Sequence, residues 1–193
     1  MTQYWKQLPN ALTVLRFIAA PATALLLLYD HFGAALVIFA LAGVSDLLDG
    51  FLAKRYGITS RFGRYLDPAA DKALMFACYL VLTIQQIVPL WLTAIVIGRD
   101  AIMVVCIVIA RLTDAPITIT PLRVGKLTTV AQVTFIGVQL LALALGLDFD
   151  DVPRWLGFAT ATVTVASAYV YGMIWLRAMT RPRPKGRAHA RKA

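Results

Sequence analysis

The chain has 193 residues, of which 60% are hydrophobic and only 15% charged, and its 19 Lys and Arg outweigh 10 acidic residues to leave a net charge of +9. Mean hydropathy is +0.72, whereas a soluble domain carries roughly a quarter of its residues as charges, so a soluble enzyme and a disordered basic protein are both excluded. Apolar stretches near the length that crosses a ~30 Å hydrocarbon layer indicate an all-α, polytopic membrane protein.

In chain order, residues 1–10 read as a short interfacial segment, because Tyr4, Trp5 and Lys6 combine amphipathic rings with a charge. Pro9 and Asn10 read as a break before the first span. That span lacks a signal peptide's basic start and cleavage site and is read as retained. Spans are predicted at about Ala11–Leu28, Gly33–Leu52, Tyr65–Gln85, Leu90–Arg111, Leu127–Leu147 and Trp155–Leu176, a six-helix bundle occupying 11–177. Residues 178–193 form a basic tail in which Pro182, Pro184 and Gly186 oppose further helix. Cys78 and Cys106 have no metal or disulfide spacing and are expected as buried free thiols.

Charge sets the orientation. Lys54, Arg55, Arg61 and Arg64 lie between spans two and three, Arg111, Arg123 and Lys126 between spans four and five, and a run from Arg177 to Lys192 in the tail. The opposite connections hold Asp30, an uncharged turn, and Asp148, Asp150, Asp151 with Arg154. The basic side is therefore expected to be cytoplasmic, with both termini inside, in an inner membrane. The surplus charge is read as serving orientation and attraction to anionic lipid, with no nucleic-acid partner. Trp91 and Trp155 read as interfacial anchors.

Every acidic residue is an aspartate, and four fall in one window: Asp46 and Asp49 on the second span, Asp67 and Asp71 on the third. Spacings of three and four put each pair on one helix face about a turn apart. The connection is short and polar, so the two spans are expected to pack as antiparallel neighbours. A carboxylate within a membrane span marks a functional site. Four facing carboxylates repel or take up protons unless cations bind them. Oxygen-only ligands select Mg²⁺, Mn²⁺ or Ca²⁺ over zinc, and two such ions can clamp the attacking and leaving oxygens of a phosphoryl displacement. Gly50, Ala53 and Gly63 leave room for a phosphate-bearing group, while Lys54, Arg55, Arg61 and Arg64 supply positive charge. Pro68 is expected in the first turn of the third span, where its missing donor costs little and amide donors face an anion.

The string D-x-x-D-G-x-x-A-K-x(8)-G-x(3)-D-x(3)-D, from Asp46 to Asp71, resembles the signature of the CDP-alcohol phosphatidyltransferase family, with Lys54 where the family has Arg. The resemblance implies a membrane enzyme that takes a CDP-linked lipid alcohol and an acceptor hydroxyl and releases CMP. It further implies that Asp46, Asp49 and Asp67 hold Mg²⁺ or Mn²⁺, two ions in all, with Asp71 as shared ligand and general base. Gly50, Ala53, Lys54 and Gly63 would line the nucleotide pocket, and a homodimer is implied. Ala142 and Gly146, four apart on the fifth span, offer a small-residue face for close helix contact.

Short stretches outside the motif, among them Phe39–Gly43, Ile87–Leu90, Ile97–Asp100, Lys126 with Gln132, and Ala166–Tyr169, resemble the cardiolipin synthase branch. That branch joins CDP-diacylglycerol to phosphatidylglycerol; the alternative is the phosphatidylglycerophosphate synthase branch, which uses glycerol 3-phosphate. Arg99, Arg123 and Lys126 are candidate contacts for the acceptor phosphate, as are Arg55, Arg61 and Arg64. A tight Arg99–Asp100 pair is not expected, since neighbours on a helix point about 100° apart. Arg16 is expected to snorkel to the interface or to line the cavity. A divalent-cation transporter is the competing class, but it would need carboxylates at the midplane and a continuous polar path.

Overall fold

The computed structural model describes the backbone of residues 4–56, 63–112, 123–147 and 151–180, and the side chains of 15–45, 72–106, 108–109, 124–147 and 151–177. Among these residues the regular structure is six helices joined by turns: α1 Tyr4–Leu28, α2 Phe32–Tyr56, α3 Gly63–Ile84, α4 Leu90–Leu112, α5 Arg123–Leu145 and α6 Asp151–Thr180. All six helices coincide with predicted spans, and several run further at the basic end. Hydropathy fades where charges begin, but backbone hydrogen bonding continues through interfacial residues. Pro9 does not break α1, which is continuous through it. As the sixth residue of α1, Pro9 removes one bond to the carbonyl four residues back and crowds that carbonyl, a cost confined to one turn of the ladder. For the same reason Pro68 lies in the second turn of α3, which begins at Gly63, and not in the first.

The helices form a closed ring in the order α3, α1, α2, α5, α6, α4 and back to α3, with a further contact between α3 and α5. Among the described residues, α1 lies against both α2 and α3, so the two carboxylate-bearing helices flank α1 and are not principal packing partners. Small and medium side chains make this wedge possible. Arg16, Ala19, Ala20, Thr23 and Leu27 are buried on α1 at helical spacing, and Leu74, Met75, Cys78 and Leu82 are buried on α3. Cys78 is a buried free thiol as expected, but Cys106 is only half-buried.

Two helical stretches, Val124–Leu145 and Asp151–Arg177, are long and apolar enough to cross a membrane; Leu15–Leu28, Phe32–Ser45 and Lys72–Ile84 are shorter apolar stretches among the described residues. Leu15, Ile18, Val37, Leu41, Val105 and Val165 point outward from the ring, a surface suited to hydrocarbon and costly in water. Between α5 and α6 the packing is polar: Gln132 Nε2 donates to Thr164 Oγ1 at 3.4 Å, Thr128 Oγ1 to the Val163 carbonyl and Thr160 Oγ1 to the Ala131 carbonyl. All four side chains are buried. Such bonds hold helices together where lipid offers no competing partner, at about 0.6 kcal/mol each.

The ends of α1, α3 and α5 lie at one end of the ring and terminate alike. Asp30, Gln86 and Gly146 take positive φ. Their amides donate to the Leu27, Thr83 and Leu143 carbonyls, and the next amides donate to Leu26, Leu82 and Ala142. These are Schellman caps, which satisfy the last carbonyls of each helix. The side chain of Gln85 adds a tie from α3 to α1, donating to the Leu27 carbonyl at 2.7 Å. Gly146 therefore ends α5, where an added Cβ would meet nothing within 4 Å, while Ala142 is buried within the chain. Trp91 stacks on Phe158 at 5.4 Å at the same end, and Trp155 lies 6.3 Å from Phe158, an aromatic cluster beside the capped helix ends.

Only glycine adopts the left-handed region without strain. Gly146→Ala is expected to lower the thermal unfolding midpoint in detergent, at about 1 kcal/mol, and Gln86→Gly to raise it. Identical midpoints for the two variants would contradict the capping geometry.

Candidate active site

The motif lies where α2 ends and α3 begins. Asp46 and Asp49 are in the C-terminal half of α2, and Asp67 and Asp71 in the first half of α3. Because both segments are helical, the three- and four-residue spacings do put each pair on one helix face. Residues 57–62, a six-residue link, join the two ends. The side chains of all four aspartates lie outside the described residues, as do those of Gly50, Ala53, Lys54, Arg55, Gly63, Arg64 and Arg123, and Arg61 altogether. The donor set has carboxylate oxygens and no Cys or His, which fits a hard divalent cation.

The described residues beside this end contain two features that the motif does not include. The first is Arg16, which is buried at 2% exposure and does not snorkel. It lines a cavity of about 200 Å³ between α1 and α2 with Ile18, Ala19, Ala22, Leu41 and Ser45. Ser45 immediately precedes Asp46 and donates its hydroxyl to the Leu41 carbonyl at 2.7 Å, a bond that holds the side chain against its own helix. The apolar cavity thus runs along α1 and α2 toward the motif, with a guanidinium in its wall.

The second is a charged cluster joining α3, α4 and α6. Lys72 Nζ pairs with Asp100 Oδ2. Arg99 Nη1 donates to Asp100 Oδ1 at 2.7 Å and Arg99 Nη2 to Ser167 Oγ at 2.9 Å. The Arg99–Asp100 pair does form, contrary to the sequence expectation. The arginine stem is long enough to bring its head round to the next residue's carboxylate, and burial removes the water that would otherwise compete. Arg99 Cζ also lies 5.8 Å from the centre of the Tyr171 ring, within cation–π range. Tyr171 in turn is seated against α5: a Cβ on Gly125 would come within 2.7 Å of its hydroxyl oxygen. Lys126, next to Gly125, is exposed. The ring closure between α3 and α4 is continued by the Thr83 and Thr93 hydroxyls, 2.5 Å apart.

Sequence reasoning missed Lys72 and Ser167 as site residues. The available signal was their polarity within apolar helices, which by itself marks a functional candidate; Lys72 was overshadowed by Asp71 beside it. A separate cavity of about 550 Å³ opens at the capped end, lined by Trp91, Phe135, Gln139, Arg154 and Phe158 among others. None of its lining residues is a carboxylate.

Comparison with known proteins agrees with the motif. Residues 6–174 match the profile of the family described as CDP-alcohol phosphatidyltransferase. The chain is 33% identical over 180 residues to cardiolipin synthase (CMP-forming) of Rattus norvegicus, covering 85% of this chain and 60% of that protein. It is 41% identical over 110 residues to cardiolipin synthase (CMP-forming) of Streptomyces coelicolor, covering 54% of this chain and 51% of that protein. A probable phosphatidylglycerophosphate synthase of Mycobacterium tuberculosis is 35% identical over 170 residues, 84% of this chain and 79% of that protein. The chain thus spans about 60% of the length of the rat relative.

Gly125→Ala is expected to destabilise the fold by about 1–3 kcal/mol through overpacking against Tyr171. Measured by thermal unfolding in the Tyr171→Phe background, the same substitution is expected to cost less, because the oxygen it meets is gone. Equal costs in both backgrounds would contradict the contact.

Proposed function

The chain belongs to the CDP-alcohol phosphatidyltransferase family, and from that premise we propose that it transfers the phosphatidyl group of CDP-diacylglycerol to the hydroxyl of phosphatidylglycerol, forming cardiolipin and CMP. The observation that carries this reading is the eight-position motif from Asp46 to Asp71, laid on the end of one helix and the start of the next. In this reading all six helices cross the membrane, the motif end and both termini face the cytoplasm, and the enzyme is a homodimer.

Asp46, Asp49, Asp67 and Asp71 would hold two Mg²⁺ or Mn²⁺ ions. When bound, those ions supply charge neutralisation for the diphosphate and for the leaving CMP oxygen. The protein's own residues do the rest. Gly50, Ala53 and Gly63 admit the nucleotide, and Lys54, with Arg55, Arg61 and Arg64, meets its phosphates. Asp71 takes the proton of the acceptor hydroxyl as the oxygen attacks the phosphorus that carries the diacylglycerol. The phosphoanhydride bond breaks, and CMP departs with the bonding electrons. The apolar cavity beside Ser45 gives an acyl chain a path along α1 and α2 to the motif.

A second reading, transfer to glycerol 3-phosphate, is favoured by the Mycobacterium tuberculosis relative, whose length the chain matches more fully than that of the rat protein. A divalent-cation transporter has no comparable support, since the family match covers most of the chain.

Purified protein with Mg²⁺ or Mn²⁺ is expected to release CMP from CDP-diacylglycerol and phosphatidylglycerol, with cardiolipin identified by mass. Asp71→Asn is expected to lower this rate at least about a hundredfold while leaving the thermal midpoint within a few degrees. Phosphatidylglycerophosphate from glycerol 3-phosphate, with no cardiolipin, would replace the first reading by the second. Full activity of Asp71→Asn would remove that residue from its role.

A further inference from the structure

Among the described residues, the cluster on α3, α4 and α6 carries two cations, Lys72 and Arg99, against one anion, Asp100, and Ser167 is neutral. It therefore holds a surplus positive charge part-way along apolar helices, where an uncompensated charge is costly and an incoming anion is favoured. Arg99 is poorly placed to receive one. It is 7% exposed, and both terminal nitrogens are engaged by Asp100 and Ser167. The side chain of Lys72, by contrast, is 41% exposed. Asp100 uses one oxygen for Arg99 and the other for Lys72, so the buried bond from Arg99 to Ser167 steadies Asp100, and Asp100 steadies the ammonium.

Lys72 follows Asp71 directly, and its bond to Asp100 turns it toward α4, about 100° round the helix from Asp71. Resting on the phosphatidyltransferase reading, we propose that Lys72 is a specificity-determining residue that receives the phosphate of the acceptor alcohol, with Asp100 as its positioning residue. In that reading the donor's phosphates meet bases on α2 and the link to α3. A cation on the α4 side of α3, one residue from the base, is therefore left for the second substrate. Phosphatidylglycerol and glycerol 3-phosphate both carry a phosphate beside free hydroxyls, and a compact ammonium suits either a diester or a monoester.

The test is steady-state CMP release by the full chain in detergent with Mg²⁺, varying acceptor and donor separately, with phosphatidylglycerol and glycerol 3-phosphate in parallel arms. Lys72→Gln is expected to raise the acceptor KM by about ten- to a hundredfold, the loss of a charged hydrogen bond, in whichever arm the wild type uses. The donor KM is expected to stay within about twofold. Lys72→Arg restores most of the acceptor KM. Asp100→Asn leaves both cations in place, is expected to raise acceptor KM several-fold, and carries the test should Lys72→Gln fail to fold. Acceptor and donor KM rising together, or kcat falling with both KM values fixed, would overturn the role of Lys72 alone. A wild type that releases no CMP with either acceptor would overturn the underlying reading and this proposal with it.

Discussion

A charge carried on a helix inside hydrocarbon must be met by another charge, a hydrogen bond or water, because lipid provides none of them. The arrangement of this bundle follows from that requirement. Arg99, buried on α4, is met by Asp100 and by Ser167 from α6, and Asp100 is met in turn by Lys72 from α3. Three helices are tied by one cluster. Arg99 and Ser167 are buried while Asp100 and Lys72 reach toward the surface, so the cluster ties α3, α4 and α6 together from the inside outward. In the proposed function the same requirement makes four carboxylates on α2 and α3 a demand for cations.

The two ends of the ring answer different needs. At one end α1, α3 and α5 finish in repeated Schellman caps, with Gln85 bridging to α1 and Trp91, Phe158 and Trp155 clustered nearby. Backbone groups there are satisfied locally and the turns are short. At the other end the helices outrun their apolar stretches into Lys54, Arg55, Arg64 and Arg123. Between the ends, α1 lies against both α2 and α3.

The six helices were legible because each is a long apolar run, and the motif because its spacing is fixed by one helical period per carboxylate pair. Helix ends were less legible: hydropathy falls at the first charge, and Pro9 and Pro68 look like boundaries although a helix tolerates a proline in its second turn. Spatial order was not legible at all, since chain order placed α2 beside α3 and packing placed α1 between them. The Arg99–Asp100 pair was misread because angular separation on a helix says where side chains leave the backbone and not where a long one ends. Of the two readings of Arg16, snorkelling fails because it assumes a helix facing lipid, and that face of α1 is buried against its neighbours. Gly146 resembled a packing residue, yet its neighbours in sequence end the helix there.

Whether the carboxylates of α2 and α3 meet around divalent cations is tested most directly by titrating the detergent-solubilised protein with Mn²⁺ and counting bound ions by electron paramagnetic resonance. About two ions per chain are expected, with binding lost in Asp67→Asn while the thermal midpoint without metal is unchanged. Turnover that persists at Mn²⁺ and Mg²⁺ concentrations too low for any bound ion to be detected would contradict it.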